Sequence, residues 1–303
     1  MTPVLRVTDE VAHAVRHGRP VVALETTLVS HGFSAGRGLL AALDAERAVR
    51  AAGATPATIG VVDGVIRVGL SAAELERFAE AGTSARKAGA RDLAACVVQR
   101  ALGATTVGGT LAICRAAGIM FLGTGGIGGV HRGFADHPDI SADLPELART
   151  RAMVVCSGAK SILDIGATAE LLETLGVPVL GWQTATLPRF YTAGGGPRVS
   201  ATVAAASEAA QVAGTHWQLT GASGLLLARP PADGLDIDAL VTRAVEQVRR
   251  AGVTGQAVTP AVLAAVEELS GGRSVEVNRR LIADNAALAG EVATAYCDLS
   301  EPA

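Results

Sequence analysis

The chain has 303 residues, 49% of them hydrophobic and only 3% aromatic, with a formal net charge of −3. That length accommodates one large α/β domain with an aliphatic core, and near-neutrality argues against a nucleic-acid or anionic-membrane partner. The four cysteines are scattered without a C-x-x-C pair, which excludes a zinc ribbon and makes a reducing cytoplasm the expected location.

Residues Met1 to Arg19 contain no signal-type apolar stretch, and no run approaches the roughly 18 apolar residues of a membrane span. A buried strand is expected at Val21–Leu24, ending in Glu25-Thr26-Thr27 with His31-Gly32 close behind. Strands follow at Thr58–Val62 and Ile66–Val68. A helix over Ser71–Ala81 opens with Ser71 and Glu74 at capping-box spacing. Leu102–Ala117 reads as a helix, and Ile119–Leu122 as a strand running into the glycine-rich Gly123–Gly129. Met153–Cys156 is a strand leading to Ser157-Gly158-Ala159-Lys160, followed by a helix over Ile162–Leu175. The strand Val177–Leu180 ends at Gly181-Trp182-Gln183-Thr184, and Ala193–Pro197 is the loop with least expected order. Gly224–Ala228 is the last strand. Helices over Asp236–Ala251 and Val275–Leu299 complete the chain. The pattern is α/β with a mostly parallel sheet, one domain over residues 1–303 and a C-terminal helical elaboration.

In such folds ligands bind beyond the carboxyl ends of the strands. The polar clusters at Glu25, Gly123–Gly129, Ser157–Lys160 and Gly181–Thr184 are therefore expected on one rim. A lone buried glutamate there has a plainer reading, as a structural ion-pair partner. Of 26 basic residues, only Lys87 and Lys160 are lysines. Arginine supplies positive charge wherever charge alone is needed, whereas only an amine can shed its proton and form an imine. The two lysines are thus candidates for chemistry that a guanidinium cannot perform.

Gly123, Gly125 and Gly128 match G-x-G-x-x-G after a strand, but the context fails a dinucleotide fingerprint. Residues Val130 to Pro138 do not open a helix, and the next strand ends at Cys156-Ser157-Gly158 with no carboxylate. What remains is a glycine-rich turn whose N–H groups can bind an anion, with Thr124, His131 and Arg132 alongside. In Asp139-Ile140-Ser141-Ala142-Asp143, either Ser141 or Asp143 can cap a helix over Leu144–Arg149. The two carboxylates four apart equally suit a hard divalent cation.

Taken together, Ala23–Thr27, Ser30–Gly32, Gly103–Val107, GGIGGVHRG at Gly125–Gly133, DISADL at Asp139–Leu144 and VVCSGAKSILD at Val154–Asp164 resemble the pseudouridine-5′-phosphate glycosidase family. The resemblance runs from about Val21 to Ala289. It implies a three-layer α/β/α fold, a homotrimer, and a divalent metal, typically Mn2+. It also implies reversible conversion of pseudouridine 5′-phosphate and water to uracil and ribose 5-phosphate. By the same resemblance Lys160 is the amine nucleophile, Glu25 the proton donor and Asp139 the metal carboxylate. Lys87, Val107 through its backbone, Ser141, Ala142 and Asp143 contact substrate, with Thr124, His131 and Asn278 as further pocket members. The sequence departs from the family's usual pattern at Phe33–Arg37, in the Lys87 motif at Gly89-Ala90-Arg91-Asp92, at Gly108-Gly109 and in the glycine-rich Ala193–Pro197. These departures are expected to widen an entrance or base pocket, as a C-glycosynthase joining ribose 5-phosphate to a larger aromatic would require. A phosphosugar-binding protein without catalysis is the third reading.

Overall fold

Fully buried parallel strands need apolar residues on both faces. The runs VVAL, MVVC and LLLA supply them, and all twelve residues are buried. The computed structural model describes residues 4–299 apart from Ser34, Ala35, His137, Ala222 and Thr254. In chain order its first half runs β1 (Leu5–Val7), α1 (Asp9–Arg16), β2 (Val21–Leu24), α2 (Thr27–His31), α3 (Arg37–Ala51), β3 (Thr55–Val62), β4 (Val65–Val68), α4 (Ala72–Ala81), β5 (Arg86–Ala88), α5 (Leu93–Val98), β6 (Gly103–Thr105) and α6 (Val107–Ala117). There follow β7 (Phe121–Gly123), β8 (Val130–His131), α7 (Asp143–Arg149), β9 (Met153–Cys156), β10 (Leu163–Asp164), α8 (Ile165–Thr174), β11 (Val179–Trp182), β12 (Ala201–Val203), α9 (Ala206–Thr220) and β13 (Leu225–Ala228). The helices α10 (Asp238–Arg250), α11 (Val258–Leu269) and α12 (Arg273–Asp298) form the C-terminal part.

One sheet follows the path β1-β4-β3-β2-β7-β9-β13-β11-β12, with β6 added to β3 and β5 to β6. From β3 through β12 along this path every pair is parallel, and only β3–β4 and β3–β6 are antiparallel in this sheet. Helix α12 lies across β2, β7 and β9 with α3 and α9 beside it, while α1 and α6 cover the opposite face. The architecture is therefore a three-layer α/β/α sandwich. Small residues permit the close approach of α12: a Cβ on Gly123 would stand 3.0 Å from Ala286 Cα.

All seven expected strands are present. The helix expected over Leu102–Ala117 is shorter, because Gly103–Thr105 is buried as β6 and Thr106 caps α6, its Oγ1 accepting from Gly109 N at 3.0 Å. Likewise α8 starts at Ile165, where Asp164 accepts from Ala167 N at 2.9 Å and β10 pairs with β8. Among the described residues of the 193–197 loop, backbone and side-chain bonds supply order: Arg189 Nε donates to Gly194 O and Leu187 N to Pro197 O.

Candidate active site

The register of the central strands decides what stands side by side. Leu24 pairs with Gly123 and Gly123 with Val155, so the residues following β2, β7 and β9 emerge together. Thr26 is turned into the protein, where its hydroxyl donates to Ile59 O at 2.8 Å and accepts from Thr105 N at 2.8 Å. Its neighbours Glu25 and Thr27 consequently face the other way, into a cavity of about 310 Å³.

Glu25 is 3% exposed. Thr124 Oγ1 donates to its Oε1 at 2.6 Å, and the Thr27 hydroxyl donates to Oε2. Among the described residues no cation lies within ion-pair distance of it, so the structural ion-pair reading fails. Lys160 reaches the same cavity from the end of β9. Gly158 makes this possible: its φ of +82° favours glycine, and a Cβ there would collide with Pro188 O. The chain then returns to the glycine loop, with Lys160 N donating to Ile127 O at 3.0 Å.

Lys87, in β5, lines the cavity as well. Burial holds its amine below the ordinary lysine range and the charge of Lys160 adds to this, against the pull of Asp143, Glu25 and Asp139. His31 is lowered by burial and by Lys87. His131 is lowered by burial, with Lys87 and Lys160 adding to it and Asp139 opposing. Five basic side chains, Arg91 included, thus share one cavity with the carboxylates Glu25, Asp92, Asp139 and Asp143.

Asp143 is 4% exposed, and both its oxygens are already occupied. Gly108 N donates to Oδ1 at 2.7 Å and Gly128 N to Oδ2 at 2.8 Å. It therefore ties α6 to the glycine loop; the N-cap of α7 is Ala142, which offers no side-chain cap, and Ser141 Oγ accepts from Asp143 N at 3.2 Å. Asp139 differs in being half-exposed, with His131 Nε2 at 3.8 Å from its Oδ2. Among the described residues no three His, Cys, Asp or Glu side chains stand where they could jointly hold a metal. A single free carboxylate still fits a hard divalent cation that keeps most of its waters.

Ser141, Ala142, Thr124, His131 and Asn278 line the cavity with Glu25, Lys87, Asp139, Asp143 and Lys160; Val107 does not, and its neighbour Thr106 does. Asn278 is 6% exposed and its Oδ1 has no partner among the described residues, an orphan that a ligand would satisfy. The glycine loop is less open to anions than its composition implies. The N–H groups of Thr124, Ile127, Gly128 and Val130 are bound to Val155 O, Gly158 O, Asp143 Oδ2 and Thr168 Oγ1. Arg132 is directed away, donating to Ser161 O at 2.9 Å on the wall of a neighbouring pocket that Lys160 also borders.

Other expectations are corrected. Gly181–Thr184 lies outside the cavity, and β5 and the end of β6 supply the rim in its place. Gly108 and Gly109 do not widen it: a Cβ on Gly108 would stand 3.1 Å from Asp143 Oδ1, and one on Gly109 would overlap Ala88 O. The loop at 193–197 is outside the lining as well, whereas Phe33 and, from the Lys87 motif, Gly89, Arg91 and Asp92 do line the cavity. Ser34 and Ala35 lie outside the described residues. Sequence reasoning overlooked the apolar wall, formed by Phe33, Phe190, Ile282 and the α11 residues Pro260 and Leu263. A signal existed in Phe190, one of only nine aromatic residues in the chain, and here it carries an uncommon positive φ of 62°.

A model of the indigoidine synthase A-like proteins matches residues 10–295. The pseudouridine-5′-phosphate glycosidase of Chloroflexus aurantiacus is 47% identical, over 97% of this chain and 99% of that protein. The enzyme of the same name from Escherichia coli is 44% identical, over 96% and 95%. Among solved structures, the prealnumycin C-glycosynthase AlnA in complex with ribulose 5-phosphate superimposes with a TM-score of 0.89 at 40% identity, covering 99% of both chains. An indigoidine synthase A-like protein from Thermotoga maritima gives 0.87 at 33% identity over 96% of each. The chain therefore belongs to the indigoidine synthase A-like family, which it shares with the pseudouridine-5′-phosphate glycosidases.

Proposed function

We propose that this protein is a pseudouridine-5′-phosphate glycosidase, interconverting pseudouridine 5′-phosphate and water with uracil and ribose 5-phosphate. The observation carrying this reading is the meeting of Glu25, Lys87 and Lys160 in one cavity at the carboxyl ends of the sheet. A C-glycosidic bond offers no heteroatom leaving group to protonate, so the paired carboxylates of ordinary glycosidases do not suffice. In the proposed sequence the neutral Lys160 amine bonds to C1′ as the C1′–O4′ bond breaks, and Glu25 delivers a proton to O4′. The C1′–C5 bond then breaks. Its electron pair stays on the uracil ring, which takes up a proton, and C1′ is left as an imine of Lys160. Water adds to that carbon, the C–N bond breaks, and ribose 5-phosphate is released.

Lys87 meets the phosphate as a point charge, with His131 and the Ser141 hydroxyl beside it. Asp139 would hold a divalent cation, Mn2+ by family resemblance, and such an ion would supply charge neutralisation at the phosphorylated sugar. A homotrimer in the cytoplasm completes the proposal. The four scattered cysteines suit a reducing compartment, and among the described residues no helix is long and apolar enough to cross a membrane.

The test is turnover of pseudouridine 5′-phosphate, together with borohydride trapping in the presence of ribose 5-phosphate. A stable adduct mapped to Lys160, lost in an inactive Lys160→Arg variant, is the expected result. Mapping matters because Lys87 is a second amine in the cavity, its basicity depressed by burial. An adduct on Lys87, or an active Lys160→Arg enzyme, overturns the assignment of Lys160 as the nucleophile. The second reading, a C-glycosynthase acting on a larger aromatic, is favoured by the apolar wall and the likeness to AlnA. It is decided by whether uracil or a bulky phenol is the better acceptor with ribose 5-phosphate.

A further inference from the structure

The proposed chemistry needs its acid and its amine at a fixed separation, yet they follow different strands, β2 and β9. Beyond Gly123 and Cys156 the ladder between β7 and β9 ends. The chain there is held by Thr124 N donating to Val155 O and Ser157 N donating to Gly125 O. One side chain bridges the same gap. Asn285, on α12 and fully buried, donates through Nδ2 to Thr124 O at 2.8 Å and to Ser157 Oγ at 3.1 Å.

Each arm leads to the site. Thr124 is the residue whose hydroxyl holds Glu25 Oε1 at 2.6 Å. Ser157 opens the turn that delivers Lys160 three residues later, and its carbonyl accepts from Phe190 N at 2.9 Å on the cavity wall. Neither Asn285 nor Ser157 lines the cavity. A carboxamide placed under an aliphatic helix is costly unless it is bonded, and once bonded it specifies one geometry where apolar packing would tolerate several.

We propose that Asn285 is a positioning residue, clamping the two strand ends so that the Thr124–Glu25 pair and Lys160 keep a reactive separation. This rests on Glu25 acting as the acid and Lys160 as the amine of the proposed function. The test is steady-state kinetics with pseudouridine 5′-phosphate on Asn285→Leu, on Thr124→Val and on the double variant. Asn285→Leu is expected to lose about tenfold or more in kcat, with KM within about threefold. In the Thr124→Val background, where the hydroxyl on Glu25 is already absent, the further loss is expected to shrink to about threefold, because the two changes share one chain of contacts. A merely structural amide would instead lower the melting temperature, leave kcat within about twofold below it, and give equal losses in both backgrounds. That result overturns the proposal. Should Asn285→Leu fail to fold, Ser157→Ala removes a single arm; slower borohydride trapping on Lys160 supports the clamp, and an unchanged rate rejects it. Glu25→Ala and Lys160→Arg run alongside. If either is active the proposed function itself fails, whereas inactive controls beside a fully active Asn285→Leu sink only the clamp.

Discussion

At the scale of single residues, Asp143 and His31 show how charge is committed within the site. Asp143 accepts from two buried N–H groups, so Asp143→Ala would strand both Gly108 N and Gly128 N. A loss of about 3 kcal/mol in unfolding free energy is expected by denaturant titration, with Asp143→Asn losing less because one acceptor survives. His31 is held below its ordinary value of 6.5 by burial first and by the Lys87 charge second. Lys87→Met should therefore move the His31 titration upward, which NMR of the imidazole protons can read. The sign for stability follows from linkage. With a depressed folded-state value, the unfolded chain takes up the proton first, so the His31 contribution is intact above about pH 6.5. It declines as pH falls below that and levels off once the folded-state value is passed. Glu25 and Lys160 were legible as single residues, one from its place after a buried strand and the other from the scarcity of lysine. The hydroxyls on Glu25 were not, because nothing in the order of residues places Thr124 beside a carboxylate 99 positions earlier.

At the scale of elements, local chemistry fixes some boundaries completely. Both halves of the α4 capping box form, with Glu74 N donating to Ser71 Oγ at 3.3 Å and Ser71 N to Glu74 Oε2 at 2.9 Å. Ser71→Ala should cost about 1 kcal/mol in a denaturation experiment and leave catalysis untouched. The start of α6 is a different case. Gly109 packs against Ala88 O, so Gly109→Ser should destabilise the protein by about 1–3 kcal/mol through overpacking while leaving acceptor preference unchanged. A variant that switched acceptor without losing stability would restore the widened-pocket reading. The periodicity that marks Leu102–Ala117 as helical is sound from Val107 onward. It fails at Gly103–Thr105 because three buried residues take their state from pairing with β3 and β5, a tertiary influence stronger than local propensity.

At the scale of the whole molecule, the cavity is assembled from both halves of the chain and from the C-terminal helices. Chelator is expected to abolish turnover reversibly, with manganese restoring it, and Asp139→Ala is expected to be inactive; full activity in excess chelator would remove the metal from the reaction. Light scattering should return three times the 30.5 kDa chain mass if the trimer of the family holds. The three-layer order was implied only by the family resemblance. The sequence by itself determined the α/β pattern with a mostly parallel sheet, the seven principal strands and the residues most suited to amine and acid chemistry. Those follow from hydrophobic period, strand-end position and the reactivity of side-chain types, all of which are local. Tertiary structure alone decided that Asp143 ties α6 to the glycine loop, and that Gly108 and Gly109 are packing glycines. It also decided that α11 and Phe190 line the cavity and that Asn285 bridges the strand ends. Each of these depends on which atoms meet across long stretches of chain, and contact at such separations is set by how the layers pack.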